Sequence, residues 1–173
     1  MGHFLRMRLI GCGVVIVVLV LIAGGVAVYE GVAGMMHASA AAPFKPHMAE
    51  YLASVKESDK TGPVQGKLLV LDRKTQDLDW DVVSELPDDL KAAKHEEVGA
   101  VVWLDYVRKP GDLVYGKQDL PSYVQTCKVT VIDHASRAVI GTASFQGGPP
   151  PNDIDEHASE GVGSKPTSEV VAS

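Results

Sequence analysis

The sequence predicts an α+β fold: a small antiparallel sheet of four to five strands with one or two short helices, preceded by one N-terminal transmembrane helix. Three observations lead there. An uncharged apolar run of 20 residues extends between Leu9 and Val28. Alternating or β-branched segments recur from residue 67 to residue 146. Between them, no segment reads as the long helical crossover that joins parallel strands.

The apolar run, at a rise of ~1.5 Å per residue, spans roughly 30 Å, the thickness of a bilayer's hydrocarbon core. Arg6 and Arg8 precede it, Glu30 follows, and the next basic residue is Lys45. Basic flanks stay on the cytoplasmic side, so the chain is expected in the inner (cytoplasmic) membrane as a single-pass protein, N-terminus inside and C-terminal domain outside. The expected organisation is a cytoplasmic stub (1–8), the transmembrane helix (9–28), a Gly/Ala-rich spacer (29–45), an extracytoplasmic α+β domain (46–147) and a disordered acidic tail rich in Pro and Ser (148–173). The rival reading is secretion after signal cleavage, because small-x-small sites follow at residues 31–33 and 38–40 and Gly24-Gly25 weakens the helix. Cys12 is no lipoprotein cysteine, since the apolar core follows it instead of preceding it. Met1-Gly2 is no myristoylation site, since position 6 is Arg.

Each element of the domain has its own signal. Pro46 suits a first helical turn, and Met48, Tyr51, Leu52 and Val55 share one helical face, so residues 46–57 are expected to be helical. Residues 67–72 (KLLVLD) make a short apolar strand closed by the polar residues 73–76. Leu78, Trp80 and Val82 alternate with Asp77, Asp79 and Asp81, which predicts a second strand with its carboxylates in water. Pro87, Asp88 and Asp89 at the front and Lys91 and Lys94 at the back suggest a short helix over 86–94. Residues 100–108 (AVVWLDYVR) give the clearest strand. A turn at 109–112 and a brief extended piece near Val114 follow. Residues 124–133 alternate, with Cys127, Val129 and Val131 on the expected core face, and the tight connection 134–137 returns them as a hairpin into a last strand over 138–146.

Charge narrows the function. The chain carries −6 overall, with no Lys/Arg cluster beyond the anchor flank, so no nucleic-acid partner is expected. The two cysteines, Cys12 and Cys127, fall on different sides of the expected membrane boundary, so the domain has no internal disulfide. Asp77, Asp79 and Asp81 begin like a calcium loop, but Val82 stands where its glycine belongs. His95-Glu96-Glu97 begins like a zinc-protease helix and lacks the second histidine. The six histidines (3, 37, 47, 95, 134 and 157) show no local zinc spacing. Cys127 reads as a small core hydrophobe. No nucleophile elbow or phosphate loop is present, so no catalytic, cofactor or metal residue is assigned.

The string Leu86-Pro87-x-x-Leu90-x-Ala92-x-x-x-Glu96-Glu97-Val98-Gly99-x-Val101-Val102 is distinctive. So are Cys127-x-Val129-x-Val131-Ile132-Asp133, Val139-Ile140-Gly141 and Phe145-x-Gly147-x-Pro149-Pro150. Over residues 66–150 the chain resembles uncharacterised, membrane-anchored bacterial proteins with a small extracytoplasmic domain. The resemblance implies a bacterial inner-membrane setting and brings no reaction or ligand. The expected function is a binding or interaction module, more a non-enzyme than an enzyme, whose partners are the bilayer, through Leu9 to Val28, and another envelope protein. The alternative is a secreted or tethered hydrolase whose site assembles from dispersed residues.

Overall fold

The computed structural model describes residues 35–57, 64–116, 119–155 and 157–172. The expected stub and transmembrane run lie outside the described residues. No helix among the described residues is long and apolar enough to cross a membrane. Two units are distinguished, residues 1–42 and 43–173. Of the first, residues 35–41 are helical where a spacer was expected.

The second unit is α+β, built on a mixed sheet. After a 3-10 turn, Lys45–His47, and a short helix α1, Met48–Tyr51, come strands β1, Lys67–Asp72, and β2, Asp77–Leu78. Helix α2, Trp80–Glu85, and a second 3-10 turn, His95–Glu97, lead to β3, Val98–Tyr115. Then follow β4, Leu120–Asp133, β5, Val139–Gln146, β6, Gly161–Val162, and helix α3, Thr167–Val171. The sheet order is β2-β1-β3-β4-β5, with β6 beside β4.

The expected antiparallel sheet is corrected at two pairings. β1 runs parallel to β3, with Leu69 opposite Val101 and Leu71 opposite Trp103, and β6 runs parallel to β4. The first requires a crossover, and residues 73–97 supply it in short pieces. Gln76 turns the chain at φ 57° and β2 returns along β1. α2 and a turn then carry it back, where Leu68 N–H donates to Leu90 O at 2.7 Å. A crossover needs about a dozen residues or more, and not one continuous helix.

Three local expectations change with it. The alternation at 77–82 ends after β2, because the Asp79 carboxylate accepts from Val82 N–H at 3.1 Å and caps α2. Trp80 and Val82 therefore belong to a helix. The helix expected over 86–94 is an irregular return held against β1. The helix expected over 46–57 stops at Tyr51, and Lys56 instead pairs with Ala138 beside β5.

The strand at 100–108 is found and lengthened at both ends, running on through residues 109–112, where a turn was expected; of the hairpin, β4 starts earlier, at Leu120, and β5 ends at Gln146 as expected. Their neighbours explain the continuous apolar runs, because both faces of the central strands are buried. Leu69, Leu71, Val101 and Trp103 pack on one face with Phe44 and Tyr51. Val70, Val102, Leu104, Cys127 and Val129 pack on the other with Val82 and Val170. At the sheet's start, β3 passes close over residues 65–66: a Cβ on Gly99 would lie 1.6 Å from Gln65 O. Glycine is the only residue that fits there.

The tail expected to be disordered builds the second face. Gly163 N–H donates to Tyr123 O at 2.9 Å, the Tyr115 hydroxyl donates to Pro151 O at 2.6 Å, and Lys165 reaches Asp81 at 2.6 Å. Arg108 pairs with Glu160. Apolar periodicity is missing because β6 is two residues long and α3 buries Val170 alone.

Candidate functional site

At one end of the first core, three turns bring together residues that are far apart in the chain. The 45–51 segment supplies His47, Glu50 and Tyr51. The 3-10 turn before β3 supplies His95, and the β4–β5 turn supplies His134.

Each turn is fixed by ordinary packing. Pro46 sits in the first turn of its 3-10 segment, whose limited φ it matches. Tyr51 is fully buried, with Phe44 edge-on at 6.5 Å. Its backbone carbonyl accepts from Trp103 Nε1 at 3.1 Å and from Arg137 Nη2 at 3.3 Å, and Arg137 also donates to Ala53 O at 2.6 Å. The segment is thus tied to the sheet through its backbone. The His95 turn is closed by Glu97, which accepts from Ala93 N–H at 3.1 Å and from Lys67 at 3.0 Å. His134 N–H donates to Gly99 O at 3.0 Å, and the Asp133 carboxylate accepts from Ser136 N–H at 2.8 Å and its hydroxyl at 2.5 Å.

The side chains then converge. His47 and His95 stack in parallel, centroids 3.6 Å apart. Their ring nitrogens and a Glu50 oxygen all lie within 4.8 Å of one another. Glu50 faces both ways, Oε2 lying 3.6 Å from His47 Nδ1 and Oε1 3.5 Å from His134 Nε2. The Tyr51 hydroxyl is 2.6 Å from His95 Nδ1. A hydroxyl serves either tautomer there, donating to a bare Nδ1 or accepting from Nδ1–H.

Burial shapes the electrostatics. It pushes the Tyr51 hydroxyl up to about 12, with Glu50 and Glu96 adding to the effect, so the proton stays on. Burial also lowers His134 below the ordinary histidine value of 6.5, His95 and Arg137 reinforcing it against the pull of Glu50.

Two imidazoles and a carboxylate are the donor types of a divalent transition ion such as zinc, iron(II) or cobalt, and both rings reach one ion once they turn out of their parallel stack. Cys127 takes no part in this cluster. It lies in the second core, and burial pushes its thiol up to about 11. The aspartates of the calcium-like pattern diverge: Asp77 binds Leu78 N–H, Asp79 caps α2 and Asp81 pairs with Lys165. They form no cation site.

His47, His95 and His134, which show no local zinc spacing in the sequence, are thus drawn into one cluster. The three lie 39 or more residues apart along the chain. The one local hint is the His47-x-x-Glu50 spacing, which puts both side chains on one side of a helical turn. No family model matches the chain, and neither the curated proteins nor the solved structures contain a match.

Proposed function

We propose that this chain is a membrane-tethered module, displayed outside the cytoplasm, whose domain binds a divalent transition metal through His47, Glu50 and His95. The observation that carries the metal reading is the convergence of three ligand atoms within 4.8 Å from two separate segments. The uncharged run between Leu9 and Val28, its basic flank and the resemblance to membrane-anchored bacterial proteins support the placement.

The test is metal titration of the full chain in detergent, followed by thermal unfolding. Zinc or cobalt(II) binds at one equivalent and raises Tm, by the linkage that gives about 2.7 kcal/mol at a hundredfold excess over Kd. The His47→Ala/His95→Ala double variant loses both effects. A wild-type response no larger than the double variant's would refute the metal reading. Mass spectrometry of the native protein tests the tether: an intact N-terminus supports it, and a start near Gly34 or Ala41 means a released domain.

A second envelope protein as partner, expected from the anchor and the lack of a catalytic constellation, finds support in the β3–β4 hairpin. Past Leu104, β3 loses its β1 neighbour, and Val107 and Val114 are 54% and 62% exposed. A free strand edge bearing apolar side chains is a place for another chain to add. Crosslinking from Val107 in native membranes yields a defined adduct if this holds, and only background if it does not. The hydrolase alternative would use the same three ligands with water in an open fourth position, and it does not involve Cys127, which lies in the other core.

A further inference from the structure

We infer that His134 is a fourth protein ligand of this metal, so that the loaded site is closed by three imidazoles and one carboxylate and holds its ion structurally. The inference rests on the metal reading above and adds the coordination number and, with it, the role of the ion.

Glu50 is the first reason. Its two oxygens point to different histidines, 3.6 Å to His47 and 3.5 Å to His134, so the carboxylate lies between the two rings. A metal that draws Glu50 in brings His134 Nε2 along. Glu50 is free to move, with half of its side chain exposed. Ligand atoms around tetrahedral zinc stand roughly 3.3 Å apart at bond lengths near 2 Å; His47, Glu50 and His95 lie within 4.8 Å of one another, His134 Nε2 joins them through its 3.5 Å contact with Glu50, and loading turns the stacked rings of His47 and His95 apart.

The second reason lies in His134 itself. A structural histidine is normally held by hydrogen bonds at its ring nitrogens. Among the described residues the buried Nδ1 has no hydrogen-bond partner, while Nε2 faces Glu50. The ring stands at 85° to His95, centroids 5.6 Å apart, and so approaches the cluster from a different direction than the stacked pair. Three directions of approach are what a tetrahedral set needs and what two stacked rings alone do not provide.

The third reason is the chemistry of the set. Three imidazole ligands and one carboxylate leave a divalent ion with a residual charge of about +1 and, at four protein ligands, no open position for water or substrate. Closed sites of this kind contribute to folding rather than catalysis. The absence of thiolate or thioether ligands favours zinc-class divalent ions over copper(I). His95 Nδ1, beside Tyr51, leaves Nε2 to face the ion, the arrangement in which a second hydrogen bond fixes a metal-bound imidazole.

Cobalt(II) absorption decides it. The full chain in detergent is titrated with cobalt(II) as wild type, His134→Ala and His134→Gln, each first checked for folding by near-ultraviolet circular dichroism without metal. Four protein ligands give the intense visible bands of tetrahedral cobalt in the wild type. Both folded variants lose that intensity and bind at least about tenfold more weakly. A folded variant with wild-type bands and affinity overturns the inference and leaves the three-ligand reading standing. Weak, octahedral-type bands in the wild type, at unit stoichiometry, overturn it as well. No saturable cobalt or zinc binding by the wild type overturns both. Should alanine fail the folding check, the glutamine variant, which keeps a polar group of similar size, carries the comparison. Should both fail, zinc-dependent protection of His134 from diethyl pyrocarbonate in the wild type supports ligation, and unchanged modification overturns it.

Discussion

Replacing Tyr51 with Phe separates a hydroxyl that orients a ligand from one that merely packs. The ring stays: its burial, its edge contact with Phe44 and the bond from Trp103 Nε1 to the residue 51 carbonyl do not involve the hydroxyl. What is lost is the single contact to His95 Nδ1 at 2.6 Å. His95 is only half-buried, so water replaces the hydroxyl and no buried polar group is stranded. The metal-free protein therefore loses about 1 kcal/mol, the net value of one neutral hydrogen bond. Metal binding loses more. Without Tyr51 the imidazole is free to turn, and removal of such a supporting bond weakens affinity by roughly tenfold to a hundredfold, or about 1.4 to 2.8 kcal/mol. Calorimetric metal titration gives the affinity, and urea unfolding without metal gives the stability. A stability loss with unchanged metal affinity would refute the orienting role. A total loss of folding would refute the claim that the hydroxyl's partner is water-accessible.

Four further outcomes follow from the geometry. Val170→Ala opens a gap against Val82 and costs about 1–2 kcal/mol in urea unfolding; a change near zero would mean that α3 is not part of the core. Gly99→Ala drives a methyl group into the Gln65 carbonyl and costs on the order of 3 kcal/mol or more, read as poor soluble yield and a lowered Tm. Ser136 holds Asp133 below the ordinary aspartate value of 3.8, so its contribution is full above that pH and is lost as pH falls through the lower native value. Ser136→Ala is therefore less stable than wild type at pH 7, and acid urea titrations bring the two together; a constant gap would count against the linkage. The Cys127 thiol, buried and pushed up to about 11, resists alkylation at pH 8 in native protein and reacts once urea unfolds it. Fast labelling without urea would contradict that burial.

The parts of the fold legible in the sequence are those whose partners are near or whose chemistry is uniform. β3 announces itself by its Val, Trp and Tyr content, and β4–β5 by alternation across a tight turn. Cys127 reads correctly as a core residue because its flanking valines share its face. The parallel β1–β3 pairing is not legible, because it depends on where the chain returns after residues 73–97 and not on either strand alone. The Asp77–Asp81 alternation misleads for a local reason: a side-chain cap at Asp79 outweighs the period-2 pattern and starts a helix. The end of the chain misleads for a global one, since Gly161, Val162 and Val170 bury little individually and gain stability from a sheet already formed. The histidine cluster is the extreme case. Its members come from a short helical segment and two turns, each legible only by itself, so the site exists only once the first core has closed around Tyr51.

The place of α3 makes the second core depend on residues far apart along the chain. Val170 packs on the face that carries Val70, Val102 and Val129. A fragment that lacks α3 therefore leaves part of that face bare, and an exposed apolar patch of this kind invites association with other chains.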